Sequence, residues 1–250
     1  MTDDDVVWAD YLAWLRQTED LNDPAEVFRA YGRTLDGRGI PDPKAHLGVV
    51  LRLMRERPDA WPLMFDKIFR SAAPRFTPAP NRLLLDAIAG RAPGEALEVA
   101  MGQGRNAIAL ARAGWRVTGF DVSPEGVAIA AADAAEAGVA LATHIETVDR
   151  FDYGDTRWDL IAVIYGPGLI AQPAFAARLV RALRPGGIVV VESFASPAAA
   201  PNRRPVDIDP VDLLQAYAAC RIRRFEDTEG VSDWTPQTTS LARLVAERRA

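Results

Sequence analysis

The stretch from Ala96 to Ser123 constrains the fold of this chain more than any other part of it. The run Leu97-Glu98-Val99-Ala100 leads into the turn Met101-Gly102-Gln103-Gly104, a short helical pattern starts at Arg105, and a second apolar run, Arg116–Phe120, ends at Asp121. Gly102 permits a tight turn, Gly104 lets the backbone approach a ligand closely, and small Ala107 lets the new helix lie near the sheet. A carboxylate about twenty residues past the first glycine is placed to accept hydrogen bonds from both hydroxyls of a ribose. Together these features predict an open α/β sheet with a nucleoside-containing ligand beyond the carboxyl ends of its strands.

The remainder of the chain extends that pattern. Pro124–Ala137 reads as an alanine-rich helix that stops at Gly138, Val139–Ile145 as a third strand, and Leu160–Tyr165 as an uninterrupted apolar strand suited to the middle of a parallel sheet. Pro173–Arg184 reads as a helix, Pro185-Gly186-Gly187 as a turn, and Ile188–Val191 as a strand. Asp209 caps a helix over Pro210–Ala219; Arg221–Phe225 and Ser240–Glu247 then follow with no helix between them, which predicts an antiparallel pair. Upstream, residues 1–89 form a helical extension, with stretches at Val6–Arg16, Pro24–Leu35, Lys44–Glu56 and Leu63–Phe69, and residues 90–250 form the sheet domain. Trp8, Trp14, Trp61, Phe65 and Phe69 give the extension a large aromatic load, expected to pack against the sheet domain or to form a lid or substrate wall.

Composition narrows the function classes. The 29 basic residues are outnumbered by 34 acidic ones and form no tract that could track a phosphate backbone, so nucleic acid is not an expected partner. Cys220 is the only cysteine and His46 and His144 are the only histidines, so no thiolate or multi-histidine metal cage is expected. The start of the chain carries Asp3, Asp4 and Asp5 in place of a basic-then-apolar leader, and no apolar run reaches bilayer-spanning length. A cytoplasmic protein without membrane attachment is the resulting expectation; the sequence does not define its oligomeric state.

Gly102-x-Gly104-x-x-Ala107 also satisfies the glycine pattern of nicotinamide dinucleotide enzymes. Glu98 weighs against that choice, because a carboxylate entering the crevice repels a pyrophosphate and attracts an ammonium. An NAD-dependent oxidoreductase therefore stands as the enzymatic alternative. Taken with Gly114-Trp115-Arg116-Val117-Thr118-Gly119-Phe120-Asp121-Val122-Ser123, Arg157-Trp158-Asp159-Leu160-Ile161 and Leu183-Arg184-Pro185-Gly186-Gly187, the Ala96–Asn106 stretch resembles the class I S-adenosylmethionine-dependent methyltransferases of the small-molecule branch.

The resemblance covers about Pro93 to Glu247 and implies a Rossmann-like three-layer sandwich, its mostly parallel seven-stranded sheet ordered 3-2-1-4-5-7-6 with strand 7 antiparallel. It implies S-adenosyl-L-methionine as cofactor and in-line transfer of its methyl group to a small-molecule nucleophile. Glu98 would face the methionine end, Gly102 and Gly104 would line the amino-acid and ribose portions, Asp121 would hold the ribose hydroxyls and Val122 would touch adenine. The next adenine contact falls within Glu146–Asp149, with Val148 and Asp149 as candidates. Tyr165, at the end of the fourth strand, would stand near the cofactor's sulfonium and the incoming nucleophile, and with Glu192, at the end of the fifth, it is a candidate catalytic residue. Met101 departs from the usual residue of the turn and is expected to reshape the wall near the methyl group. Asp159 is read as a turn or cap residue, Arg203 and Arg204 as solvated loop charges, Cys220 as a buried structural residue, His46 as a packing residue and His144 as solvent-exposed or structural. A non-catalytic cofactor-binding regulator is the third reading.

Overall fold

Helix-start chemistry sets the first elements. In the computed structural model, which describes residues 3–71, 76–200, 203–204, 206–234 and 237–249, α1 spans Asp3–Gln17, its three aspartates lying in the first turn where the helix dipole favours negative charge. Helix α2 (Pro24–Gly37) is capped by Asp23, whose carboxylate accepts the Glu26 N–H at 2.7 Å, and α3 (Pro43–Glu56) by Asp42, which accepts the Ala45 N–H at 2.9 Å. Each has proline at its first helical position, where a missing N–H costs nothing. Helix α4 (Ala60–Arg70) holds Pro62 in its first turn for the same reason.

These helices belong to a compact unit of Met1–Phe76 with Ser123–Glu125; the second unit is Thr77–Val122 with Gly126–Ala250. The aromatic load of the first unit fills that unit's own core. Trp8, Tyr11, Leu12 and Leu15 share one face of α1 at spacings of three and four, and Tyr11 and Trp14 lie 5.0 and 4.9 Å from the Tyr31 ring of α2. His46 closes this cluster, its Nε2 at 3.1 Å from the Tyr31 hydroxyl.

In the second unit, α5 (Arg82–Ile88) precedes β1 (Glu95–Val99), α6 (Arg105–Arg112), β2 (Arg116–Asp121), α7 (Pro124–Glu136), β3 (Leu141–Ile145), β4 (Trp158–Ile164), α8 (Pro173–Ala182), β5 (Leu183–Phe194), α9 (Pro210–Ala216), β6 (Arg221–Val231) and β7 (Thr238–Glu247). Among the described residues the strands form one seven-stranded sheet in the order β3-β2-β1-β4-β5-β7-β6, with β7 antiparallel to both of its neighbours. That is the order expected from the resemblance. It departs at its last pair from the 3-2-1-4-5-6 order of the dinucleotide fold. No helix among the described residues is long and apolar enough to cross a membrane.

Both sheet faces are apolar. One packs Leu97, Val99, Ile161, Val163, Val189 and Val191 against Phe175 and Leu179 of α8 and Leu213 of α9; the other packs Ala96, Leu160, Ala162, Ile188 and Val190 against Leu83 and Leu84 of α5 and Ala107 and Leu110 of α6. Full burial of each large aliphatic side chain contributes about 1.5–3 kcal/mol, so this double covering is the main support of the central strands.

The structure redraws two boundaries. Helix α5 lies inside the sheet unit, so the compact units divide after Phe76, where the sequence reading divides the chain after residue 89. Leu83 and Leu84 account for this, since they pack on the sheet face. Strand β5 begins at Leu183, before Pro185-Gly186-Gly187: Leu183 pairs with Trp158, and register is resumed at Ile188 opposite Leu160. The proline and glycines thus form an irregularity within a strand, where Gly186 adopts φ +79°.

Candidate functional site

The carboxyl edge of the sheet gathers Glu98, Gly102, Gly104, Asp121, Tyr165 and Glu192, contributed by β1, β2, β4, β5 and the turn after β1. Gly102 (φ +54°) and Gly104 (φ +76°) are both left-handed, and the Gly104 N–H closes the turn on the Met101 carbonyl at 2.9 Å. A Cβ on Gly104 would stand 2.8 Å from the Ala130 Cβ, so the absence of a side chain also lets the turn lie against α7. Asp121 locks the turn from the neighbouring strand, its Oδ2 accepting the Gly102 N–H at 2.8 Å.

Glu98 lies between small neighbours, paired in register with Gly119 on β2 and Ala162 on β4, and is 2 % exposed. Its Oε1 accepts from Asn106 Nδ2 at 2.8 Å. Its Oε2 is buried with no hydrogen-bond partner among the described residues. Burial pushes the carboxyl up to about 7, against the opposing effects of the Asn106 hydrogen bond and the Arg105 charge. A buried carboxylate with one unused oxygen is what a cationic ligand group needs, so Glu98 fits an ammonium and does not fit a phosphate.

Tyr165 and Glu192 meet directly. The Tyr165 hydroxyl donates to Glu192 Oε1 at 2.5 Å, the Tyr165 N–H donates to the Glu192 carbonyl at 2.7 Å, and Arg243 Nε donates to Glu192 Oε2 at 2.7 Å. Burial, reinforced by the Glu192 charge, holds the Tyr165 hydroxyl well above the usual phenol range, so it is protonated at neutral pH. Tyr165 (φ +53°) and Ala100 (φ +55°) are non-glycine residues in the left-handed region at the ends of adjoining strands. Each such conformation costs about 1–3 kcal/mol and re-aims the chain at the ligand edge.

Trp234 stacks on Tyr165 and on Phe194, with ring centroids 5.5 Å apart in both pairs. A cavity of about 130 Å³ is lined by Arg82, Leu83, Asp86, Glu192, Arg224, Val231, Asp233 and Arg243.

The adenine candidates are placed differently from one another. Val122 is half-buried directly after Asp121. Val148 packs back on the main core cluster, its carbonyl accepting from the Tyr153 hydroxyl at 3.1 Å, while Asp149 is exposed with its carbonyl bonded to Arg178. Glu146 is the member of that loop tied to Asp121, donating its N–H to the Asp121 carbonyl at 3.0 Å.

The expectation for Met101 is corrected. Its side chain is 4 % exposed and packs with Val127 and Ala130, lying over Gly119 where a Cβ would meet its Sδ at 2.3 Å. It fills the β2–α7 interior because Gly119 leaves a hole there. Asp159 accepts the Glu95 N–H at 2.8 Å and an Arg184 N–H at 2.6 Å at the opposite, amino end of β4. Arg204 pairs with Asp207 at 2.7 Å and covers the Phe194 ring at 4.1 Å. Cys220 is buried, and burial raises its thiol.

Sequence reasoning passed over Asn81, Arg105, Asn106, Asp233, Trp234 and Arg243. An Asn before Leu83-Leu84 is an N-cap signal, and Asn81 Oδ1 does accept the Leu84 N–H at 2.9 Å. For Asp233 and Trp234 only the β6–β7 pairing brings them over β4.

The methyltransferase domain family profile matches residues 96–187. The chain is similar to the ubiquinone biosynthesis O-methyltransferase of Methylobacterium nodulans, 32% identical over 93 residues covering 37% of each chain. It is also similar to the enzyme of the same name from Sodalis glossinidius, 35% identical over 115 residues covering 44% of this chain and 46% of that one. The chain thus matches less than half the length of these curated relatives. A solved structure concerned with conversion of a disulfide bond into a thioacetal group during echinomycin biosynthesis shares the fold. It aligns with TM-score 0.59 and 20% identity over 76% of this chain and 92% of that one.

Proposed function

We propose that this chain, which belongs to the class I methyltransferase family, transfers a methyl group from S-adenosyl-L-methionine to a small-molecule nucleophile. The unused, buried Oε2 of Glu98 beside the glycine turn carries this reading. It suits the ammonium of the cofactor's methionine portion and would be an unpaired buried charge next to a dinucleotide phosphate. When bound, the cofactor supplies an electrophilic methyl group on a positively charged sulfur.

Glu98 with the backbone of Gly102 and Gly104 holds the methionine and ribose portions, Asp121 takes the ribose hydroxyls, and Val122 with the Glu146–Asp149 loop, including Val148 and Asp149, borders the adenine. Tyr165 lines the reaction centre as a neutral phenol whose O–H is committed to Glu192, so what its hydroxyl offers there is an oxygen that accepts. Glu192 acts through Tyr165: one oxygen accepts the tyrosine O–H and the other accepts the Arg243 N–H, so the carboxylate fixes where the hydroxyl points. Holding the nucleophile in line with the methyl group and excluding water supply the acceleration, with no covalent intermediate on the protein.

The test is calorimetric titration with S-adenosylmethionine, S-adenosylhomocysteine and NAD, followed by radiolabelled methyl transfer to phenolic, carboxylic and amine acceptors. Binding of the sulfur nucleosides and not of NAD is expected. Failure of the chain to bind S-adenosylhomocysteine overturns the cofactor assignment, whereas binding without transfer to any class of acceptor favours the regulatory reading.

A further inference from the structure

A continuous hydrogen-bonded chain runs from Glu98 to Tyr165 through the β6–β7 hairpin. Asn106 donates its Nδ2 to Glu98, and its Oδ1 accepts the Asn81 backbone N–H at 2.7 Å. Asn81 Nδ2 donates to Asp233 Oδ2 at 2.7 Å, and the Asp233 N–H donates to the Tyr165 hydroxyl at 3.3 Å. Asp233 Oδ1 also pairs with Arg105, the first residue of α6, at 2.8 Å, with the two side chains only 15% and 27% exposed. One carboxylate from residue 233 therefore grips both the helix that follows the glycine turn and the asparagine that positions Asn106.

Each link is specified at both ends. Asn81 and Asn106 are 0 % and 3 % exposed, so neither amide can exchange its partner for bulk water without opening the structure. Asn81 cannot flip its amide freely, because its Oδ1 is committed to the Leu84 N–H. Residue 234 is itself held: the Trp234 N–H donates to Ser232 Oγ at 3.1 Å, and the Trp234 carbonyl accepts the Thr77 N–H at 3.0 Å. Trp234 then rests on the Tyr165 ring.

We propose that Asp233 is a positioning residue that couples the cofactor carboxylate Glu98 to Tyr165, so that cofactor affinity depends on the segment that joins β6 to β7. This rests on the reading of Glu98 as the partner of the cofactor's ammonium. Because coupling is reciprocal, ordering the Glu98–Asn106 end by a bound cation also orders the Tyr165 end. The device lets the Tyr165 hydroxyl take its place when the methyl donor is in place.

The probe is S-adenosylhomocysteine, measured by calorimetry on the full chain. Asp233→Ala is expected to weaken binding about tenfold, and Asn106→Ala by a similar factor. The double variant is expected to bind little worse than the weaker single one, because both break the same chain; merely structural damage at two separate places multiplies. Glu229→Ala, an exposed charge on the same hairpin outside the chain, is expected to bind as wild type. Should Asp233→Ala fail to fold by circular dichroism, Asp233→Asn carries the test, since one amide oxygen cannot accept from both Asn81 and Arg105 and its NH2 must face one of these two donors. Unchanged affinity in the Asp233 variant, or multiplicative losses in the double variant, overturns the coupling while the cofactor reading stands. A wild-type chain that does not bind the probe overturns both.

Discussion

Glu192 and Arg243 face each other across β5 and β7, Oε2 to Nε at 2.7 Å, with the glutamate side chain 3% and the arginine side chain 22% exposed. Register continues the alternation of charge: Arg243 lies opposite Glu226 on β6, and their side chains pair at 3.2 Å. The result is a ladder of opposite charges across three strands, ending at the Tyr165 hydroxyl.

Removal of one partner from such a pair is costly because it strands the other. Arg243→Met is expected to destabilise the chain by about 3–5 kcal/mol, since buried Glu192 then loses its arginine partner and is left with only Tyr165 as donor. The double variant Glu192→Gln with Arg243→Met is expected to recover more than half of that loss. Urea denaturation of the three proteins decides it, and equal losses in the single and double variants would contradict the assignment of Glu192 as the stranded charge.

Gly104 carries two separate constraints, a φ of +76° and a close approach to Ala130. Gly104→Ala is expected to cost about 1–2 kcal/mol for the left-handed backbone and about 1–3 kcal/mol for the contact. Adding Ala130→Gly removes only the second part and itself costs about 0.5–1 kcal/mol in the interior of α7, so the recovery is read against the single Ala130→Gly variant. Thermal melts of both variants should show partial recovery in the pair; complete recovery would mean that the backbone conformation at this position is without cost.

Asp121 and Asp159 are both strand-associated carboxylates at opposite ends of the sheet. Asp121→Ala is expected to lower S-adenosylhomocysteine affinity by at least about tenfold, because it removes the proposed ribose acceptor and the lock on the Gly102 N–H. Asp159→Ala is expected to leave affinity near wild type and to lower stability by about 1–3 kcal/mol, since it orphans the Glu95 N–H and Arg184. Paired calorimetry and melting curves separate the two roles.

What the sequence makes legible follows the range of the interactions. The glycine turn, its flanking strands and Asp121 lie within one local unit, so spacing alone exposes them, and the last two strands are readable as an antiparallel pair because no helix separates them. Asn81 and Asp233 are 152 positions apart, and nothing in either local pattern marks the partner. Arg243 and Glu226 read as ordinary polar positions of outer strands; only the register places them beside buried Glu192. Met101 stands in the glycine turn by sequence, yet its side chain fills a hole opened by Gly119 on the next strand. The tryptophans of α1 signal burial plainly but not against what, and the structure assigns them to the helical unit itself.

Glu98 joins stability and binding to pH in opposite senses. Its carboxyl is raised from an ordinary 4.5 to about 7, so the folded chain holds a proton there that the unfolded chain has lost across that window. The stabilising contribution is fully present below about pH 4.5, falls as pH rises toward 7, and is gone above it, a loss on the order of 3 kcal/mol. Glu98→Gln, which cannot ionise, is therefore expected to be more stable than wild type at pH 8 in the absence of ligand and to match it near pH 4.5. Binding runs the other way, because an ammonium requires the ionised carboxylate: wild-type affinity for S-adenosylhomocysteine should rise about tenfold from pH 6 to pH 8. The Gln variant should bind weakly and without that slope. Melting curves and calorimetry at the two pH values test both signs, and a wild-type affinity independent of pH would show that Glu98 does not meet the cation.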